Sequence, residues 1–256
     1  MIEVNQAVIR YPNHRIGPVS LTIQRQERLA ILGPSGAGKS SFLHLISGMM
    51  RVQEGSVALN RVDLSAWTLR QLSRVRAVLP QSYDSMFNLE VGLIVSLARV
   101  ARDEIVVSRE LVGNCLELVK ASHLMNRSFH QLSGGEKARV QLARVFCQLW
   151  DCESGYLMMD EPIASLDPGL QVQILDAATE FCSQRRLAMI AVMHDINYAV
   201  QYFERIMMIR SNGNIEIRNV DEELTKSFEA LYGLPIERYE HPNQGARYLP
   251  RMATSI

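Results

Sequence analysis

The chain has 256 residues, 47% of them hydrophobic, enough to bury one sizeable core with room for an inserted subdomain. Its 27 basic and 27 acidic side chains cancel to a formal net charge of zero, which argues against a polyanion-binding surface and against nucleic acid as a partner. Cys115, Cys147, Cys152 and Cys182 form no CxxC pair and no zinc spacing, so they read as reduced thiols of a cytosolic protein rather than as a disulfide or metal framework.

In chain order, IEVNQAVIRY (2–11) alternates like a strand, and PVSLTI (18–23) looks like its partner. RLAILG (28–33) is a short apolar run that ends in glycine and leads into the helical KSSFLHLISGMM. Strand, glycine-rich turn and helix in that order are what an α/β nucleotide-binding core requires. GSVALN (55–60) and RAVLPQ (76–81) read as further strands. From about residue 84 the texture turns helical, through LEVGLIVSLARV and SRELVGNCLELVKAS to about Trp150. The α/β pattern then returns: strand YLMMDE (156–161), helix 168–184, strand AMIAVM (188–193), helix 196–203 and strand RIMMIR (205–210). Asn212-Gly213 supplies a hairpin turn into NIEIRN. The last 25 or so residues contain Pro235, Pro242 and Pro250 and receive no assignment. No window approaches the ~20 apolar residues of a membrane span, and the N-terminus has neither a basic lead nor a signal-like apolar core. The expectation is a cytosolic chain that meets a membrane, if at all, as a peripheral subunit.

GPSGAGKS (33–40) fills G-x-x-x-x-G-K-[ST] between a strand and a helix. Glycines let the backbone wrap phosphates, amide N–H groups point inward, and the following helix adds its positive end. Lys39 would reach the β and γ oxygens, and the Ser40 hydroxyl would ligate Mg²⁺. The partner ligand for that ion should be an acid at the end of a neighbouring apolar strand. Asp160 does so in YLMMDE, and Glu161, one residue on, is the candidate general base for the water that attacks the γ-phosphate.

LSGGE (132–136) places Ser133, Gly134 and Gly135 ahead of a helix, a second phosphate cradle that a kinase or small GTPase does not need. The simplest physical answer is that it serves a different ATP molecule. Two copies meeting head to tail would let Ser133 and the Gly134 and Gly135 amides of one cap the γ-phosphate on residues 33–40 of the other, reciprocally.

Taken together, these pieces resemble the ATP-binding subunits of ABC transporters over nearly the whole chain. GPSGAGKS resembles their Walker A loop, LSGGE their signature and YLMMDE their Walker B. Tyr11 sits where the family's aromatic stacks on adenine, and Gln81 where its Q-loop glutamine senses Mg²⁺ and the membrane partner. Ser165-Leu166-Asp167 matches the D-loop, and His194 the switch histidine that contacts the γ-phosphate. Ser41, where threonine is common, and Met158 and Met159, where aliphatics are usual, depart from the pattern without removing a ligand.

The resemblance implies an α/β P-loop NTPase core with a small antiparallel β lobe and an inserted α-helical subdomain. Residues 1–83 and 151–256 would form the core, and 84–150 the helical subdomain carrying the signature. ATP and Mg²⁺ are the implied ligands. Glu161, His194 and Gln81 are the implied catalytic residues, with Ser40, Gln81 and Asp160 holding the metal. Tyr11, Gly33, Pro34, Ser35, Gly36, Ala37, Gly38, Lys39, Ser40, Ser41, Ser133, Gly134, Gly135 and Asp167 would hold nucleotide.

Residues 64–81 are similar to the stretch before the Q-loop in importers of iron chelates, haem and cobalamin, and the QLW segment before Walker B and the tail LYGLPIERYEHPNQGARYLP are similar to ATPase subunits of the bacterial haem importers in particular. That similarity implies an ATPase at the cytoplasmic face of the cell membrane, paired with its own copy under permease subunits that are fed by a substrate-binding protein. Import of ferric siderophore or cobalamin is the alternative cargo reading, and a soluble cluster-assembly ATPase the alternative class. His241 precedes a proline in the tail, and no haem site is expected on this chain. Tyr83, Met86 and Phe87, within 83–100, are expected either to meet the permease or to fill local core.

Overall fold

A computed structural model describes residues 1–12, 14–81, 89–102, 107–221, 223–242 and 245–251. Its elements run β1 (Ile2–Tyr11), β2 (His14–Ile23), β3 (Arg28–Leu32), α1 (Lys39–Ser47), β4 (Glu54–Leu59), β5 (Val62–Asp63), α2 (Leu69–Val75) and β6 (Arg76–Leu79). Then follow α3 (Val91–Ser96), α4 (Arg109–Leu118), α5 (Gly134–Leu149), β7 (Tyr156–Asp160), α6 (Pro168–Gln184), β8 (Ala188–Val192) and α7 (Ile196–Tyr202). The chain closes with β9 (Arg205–Ile209), β10 (Ile215–Asn219), α8 (Thr225–Tyr232), β11 (Ile236–His241) and β12 (Gly245–Pro250). These elements fall into two compact units, one of residues 1–23, 27–64 and 190–256, the other of residues 24–26 and 65–189.

In the first unit, β2, β1, β4 and β5 form an antiparallel sheet in that order. Ile2, Val4, Ile16, Ile23 and Val57 of this sheet are buried. Parallel pairing sets β3 against β9, and β10 folds back antiparallel on β9 through the Asn212-Gly213 turn. The turn needs glycine: Gly213 has φ +80, and a Cβ there would lie 1.7 Å from the Arg15 carbonyl oxygen. The described residues of the unassigned tail form regular elements. Gly233, at φ +70, caps α8, and β11 and β12 form a hairpin beside it. Phe228 and Tyr248 meet edge to face at 4.9 Å. Prolines hid this hairpin in the sequence, yet Pro235 precedes β11, Pro242 lies in the turn region and Pro250 pairs with Ile236 only at the last rung, so none interrupts the middle of the ladder.

The second unit is mainly helical. α5 carries buried side chains on most of its circumference from Ala138 to Leu149, as a central helix must. Phe146 of α5 stacks on Phe181 of α6 at 4.0 Å and 10°, and the Arg185 guanidinium lies over Trp150 and Phe181 at 4.1 and 4.3 Å. All four cysteines are buried free thiols, and contact with Cys147 together with burial pushes the Cys115 thiol up. Every residue of β7 is buried, the pattern of a strand covered on both faces. β6 pairs with it in parallel, Leu79 opposite Met159. Sequence periodicity gave no separate α2, although Thr68 and Gln71 form a capping box at its start. Among the described residues, no helix is long and apolar enough to cross a membrane.

Candidate functional site

The phosphate loop lies in the first unit. Strand β3 is buried and ends at Leu32, so the turn begins at Gly33. The β3–β9 register places Leu32 opposite Met208, bringing the next pair, Gly33 and Ile209, into close approach. A Cβ on Gly33 would lie 2.4 Å from the Ile209 carbonyl oxygen, and one on Gly38 would lie 1.9 Å from Ile16 Cδ1. Gly36 and Gly38 have φ of +78 and +94, the left-handed region where glycine is favoured. α1 then starts at Lys39, its first amides facing the loop. Lys39 is only 5% exposed, and its Nζ donates to the carbonyls of Gly33 and Pro34, both at 3.0 Å. The ammonium group thus spans the loop from inside. Tyr11, 43% exposed at the end of β1, shares a hydrogen bond with Ser41 Oγ at 2.7 Å. His194 follows β8 and is exposed, and its neighbour Asp195 caps α7 by accepting from Asn197 N and Tyr198 N.

The carboxylates lie in the second unit. Asp160 ends β7 and is 4% exposed. Glu161 follows at φ +51, a left-handed conformation uncommon for a non-glycine residue. Continuing the β6–β7 register two residues past Leu79 and Met159 sets Gln81 beside Glu161. The Gln81 carboxamide donates to Glu161 Oε2 at 2.6 Å. Asp167 caps α6, accepting from Leu170 N at 3.0 Å ahead of Pro168.

Ser133 caps α5. Its Oγ accepts from Glu136 N at 3.3 Å, and Glu136 Oε2 accepts from both the Ser133 amide, at 2.8 Å, and the Ser133 hydroxyl, at 2.9 Å. Arg127 Nη1 donates to the other carboxylate oxygen, Oε1, at 3.1 Å. Sequence reasoning assigned no role to Glu136 or Arg127; the S-x-x-E spacing carried the cap, whereas nothing local marked Arg127. Ser133 and Gly134 are exposed. A Cβ on Gly134 would meet nothing within 4 Å, whereas one on Gly135 would lie 2.5 Å from Leu170 Cδ2. Tyr83, Met86 and Phe87 lie outside the described residues; Leu93, Leu97 and Val100, further along that stretch, are exposed.

A glycine loop between a buried strand and a helix, together with an acid closing a buried parallel strand, defines the α/β class of P-loop nucleoside triphosphatases. Within that class the chain belongs to the ABC transporter family, whose sequence profile matches residues 16–164. It is 36% identical over 238 residues to the hemin import ATP-binding protein HmuV of Pseudomonas fluorescens, covering 90% of this chain and 91% of that one. The HmuV of Gloeobacter violaceus is 36% identical over 234 residues, covering 89% of this chain and 85% of the relative. An inward-facing ABC transporter assigned to the metal-chelate type has the same fold, with a TM-score of 0.83 at 20% identity over 99% of this chain and 98% of that one. The dimeric ATP-binding cassette MJ0796 bound to ADP and phosphate has a TM-score of 0.75 at 22% identity over 87% of this chain and all of its own.

Proposed function

We propose that this chain is the ATP-hydrolysing subunit of a bacterial haem importer, working as a head-to-tail pair beneath a membrane permease at the cytoplasmic face. Support for the cargo comes from the relatives that are named for hemin import and align over about nine-tenths of the chain. One observation carries the two-copy reading. Gly134 begins α5 with open space where a Cβ would stand, so its own chain does not require glycine there. Close approach of a group from outside does require it. Beside Gly134 stand the exposed Ser133 hydroxyl and the positive end of a 16-residue helix, which suit a phosphate.

In this reading the amides of residues 33–41 wrap the phosphates of ATP, Lys39 shifts its Nζ from loop carbonyls to the β and γ oxygens, and Tyr11 stacks on the base. Ser40, Asp160 and Gln81 offer hydroxyl, carboxylate and carboxamide oxygens, the donor chemistry that suits Mg²⁺. That ion supplies charge neutralisation at the phosphates when bound. Glu161 takes the proton of the attacking water, held in place by the Gln81 amide at 2.6 Å. His194 hydrogen-bonds the γ-phosphate, and Asp167 lies at the junction with the twin. Ser133, Gly134 and Gly135 of the twin complete the cap, so neither copy hydrolyses alone. Residues 84–150 form the lobe that carries this cap to the neighbour, and the stretch 83–100 receives the permease.

Replacing the base, Glu161→Gln, should leave ATP binding intact, trap a closed pair and lower turnover by about 10²–10⁴-fold. Ser133→Arg should block hydrolysis while isolated chains still bind ATP; loss of that binding would sink the two-copy reading. Cargo is read from the ATPase of the reconstituted complex offered haem, ferric siderophore or cobalamin, and stimulation by either of the latter two alone would replace haem.

A further inference from the structure

Ser133 has one hydroxyl proton, and in this structure Glu136 holds it. The hydroxyl donates to Glu136 Oε2 at 2.9 Å, while that oxygen also accepts the Ser133 amide at 2.8 Å. A phosphate capped by Ser133 must therefore take the hydroxyl from a carboxylate. It must also settle close to that carboxylate's charge. An oxygen that accepts from Ser133 Oγ lies at most one further hydrogen bond, ~2.7 Å, beyond it. Added to the 2.9 Å between Oγ and Oε2, this leaves phosphate and carboxylate within about 5.6 Å of each other. Two anions at that range repel.

Arg127 is placed to answer both problems. Its Nη1 donates to Glu136 Oε1 at 3.1 Å, and its Nη2 to the Gln131 carbonyl at 3.4 Å, so the guanidinium bridges the segment leading into the signature and the carboxylate inside it. It donates to Oε1, not to Oε2, the oxygen that accepts the Ser133 amide and hydroxyl. The cap is complete without it, because Ser133 and Glu136 satisfy each other reciprocally. Arg127 and Glu136 side chains are 45% and 28% exposed, and an ion pair so open to water contributes little to folding. Hydrogen bonds from the Ser133 amide and hydroxyl hold the Glu136 carboxyl below the usual carboxylate range against opposing burial, with the charges of Arg127 and His123 adding to the effect. Glu136 is therefore a full negative charge at neutral pH, with Arg127 as its counter-ion.

We infer that Arg127 is a positioning residue for the signature: by neutralising Glu136 and drawing its charge toward Oε1, it releases the Ser133 hydroxyl to the γ-phosphate of the opposing copy. This rests on the two-copy reading above. The pull on Oε1 weakens Oε2 as a competitor for the hydroxyl. The positive charge also cancels the repulsion an incoming phosphate would meet.

The test is a double-mutant cycle on the full chain carrying Glu161→Gln, read as the ATP-dependent dimer dissociation constant by sedimentation and, separately, as ATP binding to the monomer. Glutamine at residue 136 keeps the capping box but carries no charge. Arg127→Ala should weaken each composite site about tenfold, and the dimer with its two sites about a hundredfold, with monomer ATP binding and melting temperature unchanged. In the Glu136→Gln background the same Arg127→Ala change should alter dimerisation by less than about threefold, because no charge is left to neutralise. Arg127→Lys should recover most of the loss, since it restores a positive charge without the fork. An equal loss with Glu or Gln at 136 makes Arg127 a mere structural prop and overturns the inference alone. A parent that forms no ATP-dependent dimer, or one in which Ser133→Arg leaves dimerisation intact, overturns the two-copy reading and this inference with it.

Discussion

Gly134→Ala separates folding from catalysis. Gly134 is the first residue of α5, its φ is not positive, and an added Cβ would meet nothing within 4 Å. The substitution therefore introduces no clash and no strain. Alanine also restricts the unfolded chain more than glycine does, which stabilises a compatible site by about 0.4–1 kcal/mol. For a chain of this size a kcal/mol moves the melting temperature by roughly 2–4 °C, so the variant should melt about 1–4 °C higher than the parent. In the head-to-tail pair proposed above, the same methyl would stand where the twin's γ-phosphate approaches the Gly134 amide. Losing one preorganised donor to a transition-state oxyanion lowers turnover about 10²–10³-fold. Thermal melting by circular dichroism, phosphate release by the complex and ATP binding to the isolated chain give the readouts. The expected pattern is raised stability, unchanged ATP binding by the monomer and hydrolysis near background. Turnover within about threefold of the parent in a folded variant would show that no phosphate comes near Gly134, and would refute the cap.

Gly213→Ala should do the opposite, harming the fold without touching the nucleotide. At φ +80, with its Cβ 1.7 Å from a backbone oxygen, it should lose at least about 3 kcal/mol, or roughly 6–12 °C of melting temperature. Gly233→Ala, at φ +70 with nothing within 4 Å, should lose only about 1 kcal/mol. Glu216 gives a pH signature. Burial pushes its carboxyl up, but hydrogen bonds from Arg218, Ser227 and Arg210 outweigh that and hold it below the ordinary range. A depressed carboxyl contributes stability above its unfolded pKa of about 4.3 and loses it as pH falls through the folded value. Glu216→Gln should therefore lower the melting temperature at pH 7 and flatten its decline between about pH 5 and 3. An unchanged acid limb would show that these contacts do not stabilise the ionised form.

Much of the candidate site's local structure was legible because it depends on near neighbours in the chain. The phosphate loop is a run of consecutive backbone conformations, and Gly33, Gly36 and Gly38 are where a Cβ or an ordinary φ fails. The apolar body of β7 marked its strand, and the serine-glycine-glycine run of LSGGE marked the start of the helix that follows. Other pieces were not legible, because they arise where segments distant in sequence meet. Prolines concealed the β11–β12 hairpin, which is set by pairing across its turn. Gln81 meets Glu161 across 80 residues only because β6 and β7 run parallel in one register. The left-handed backbone at Glu161 has no sequence mark either, since glutamate does not favour it.

Arg127 illustrates the boundary. Its charge could be read from the chain, but its partner could not. Three donors from two residues, the Ser133 amide and hydroxyl and the Arg127 guanidinium, converge on one carboxylate, and the turn before α5 decides which arginine reaches Glu136. Sequence by itself determined which groups are present and which backbone shapes consecutive residues can hold, since both depend on near neighbours. Tertiary structure alone decided which group touches which, because hydrogen bonds act over about 3 Å and only folding brings distant residues within that range.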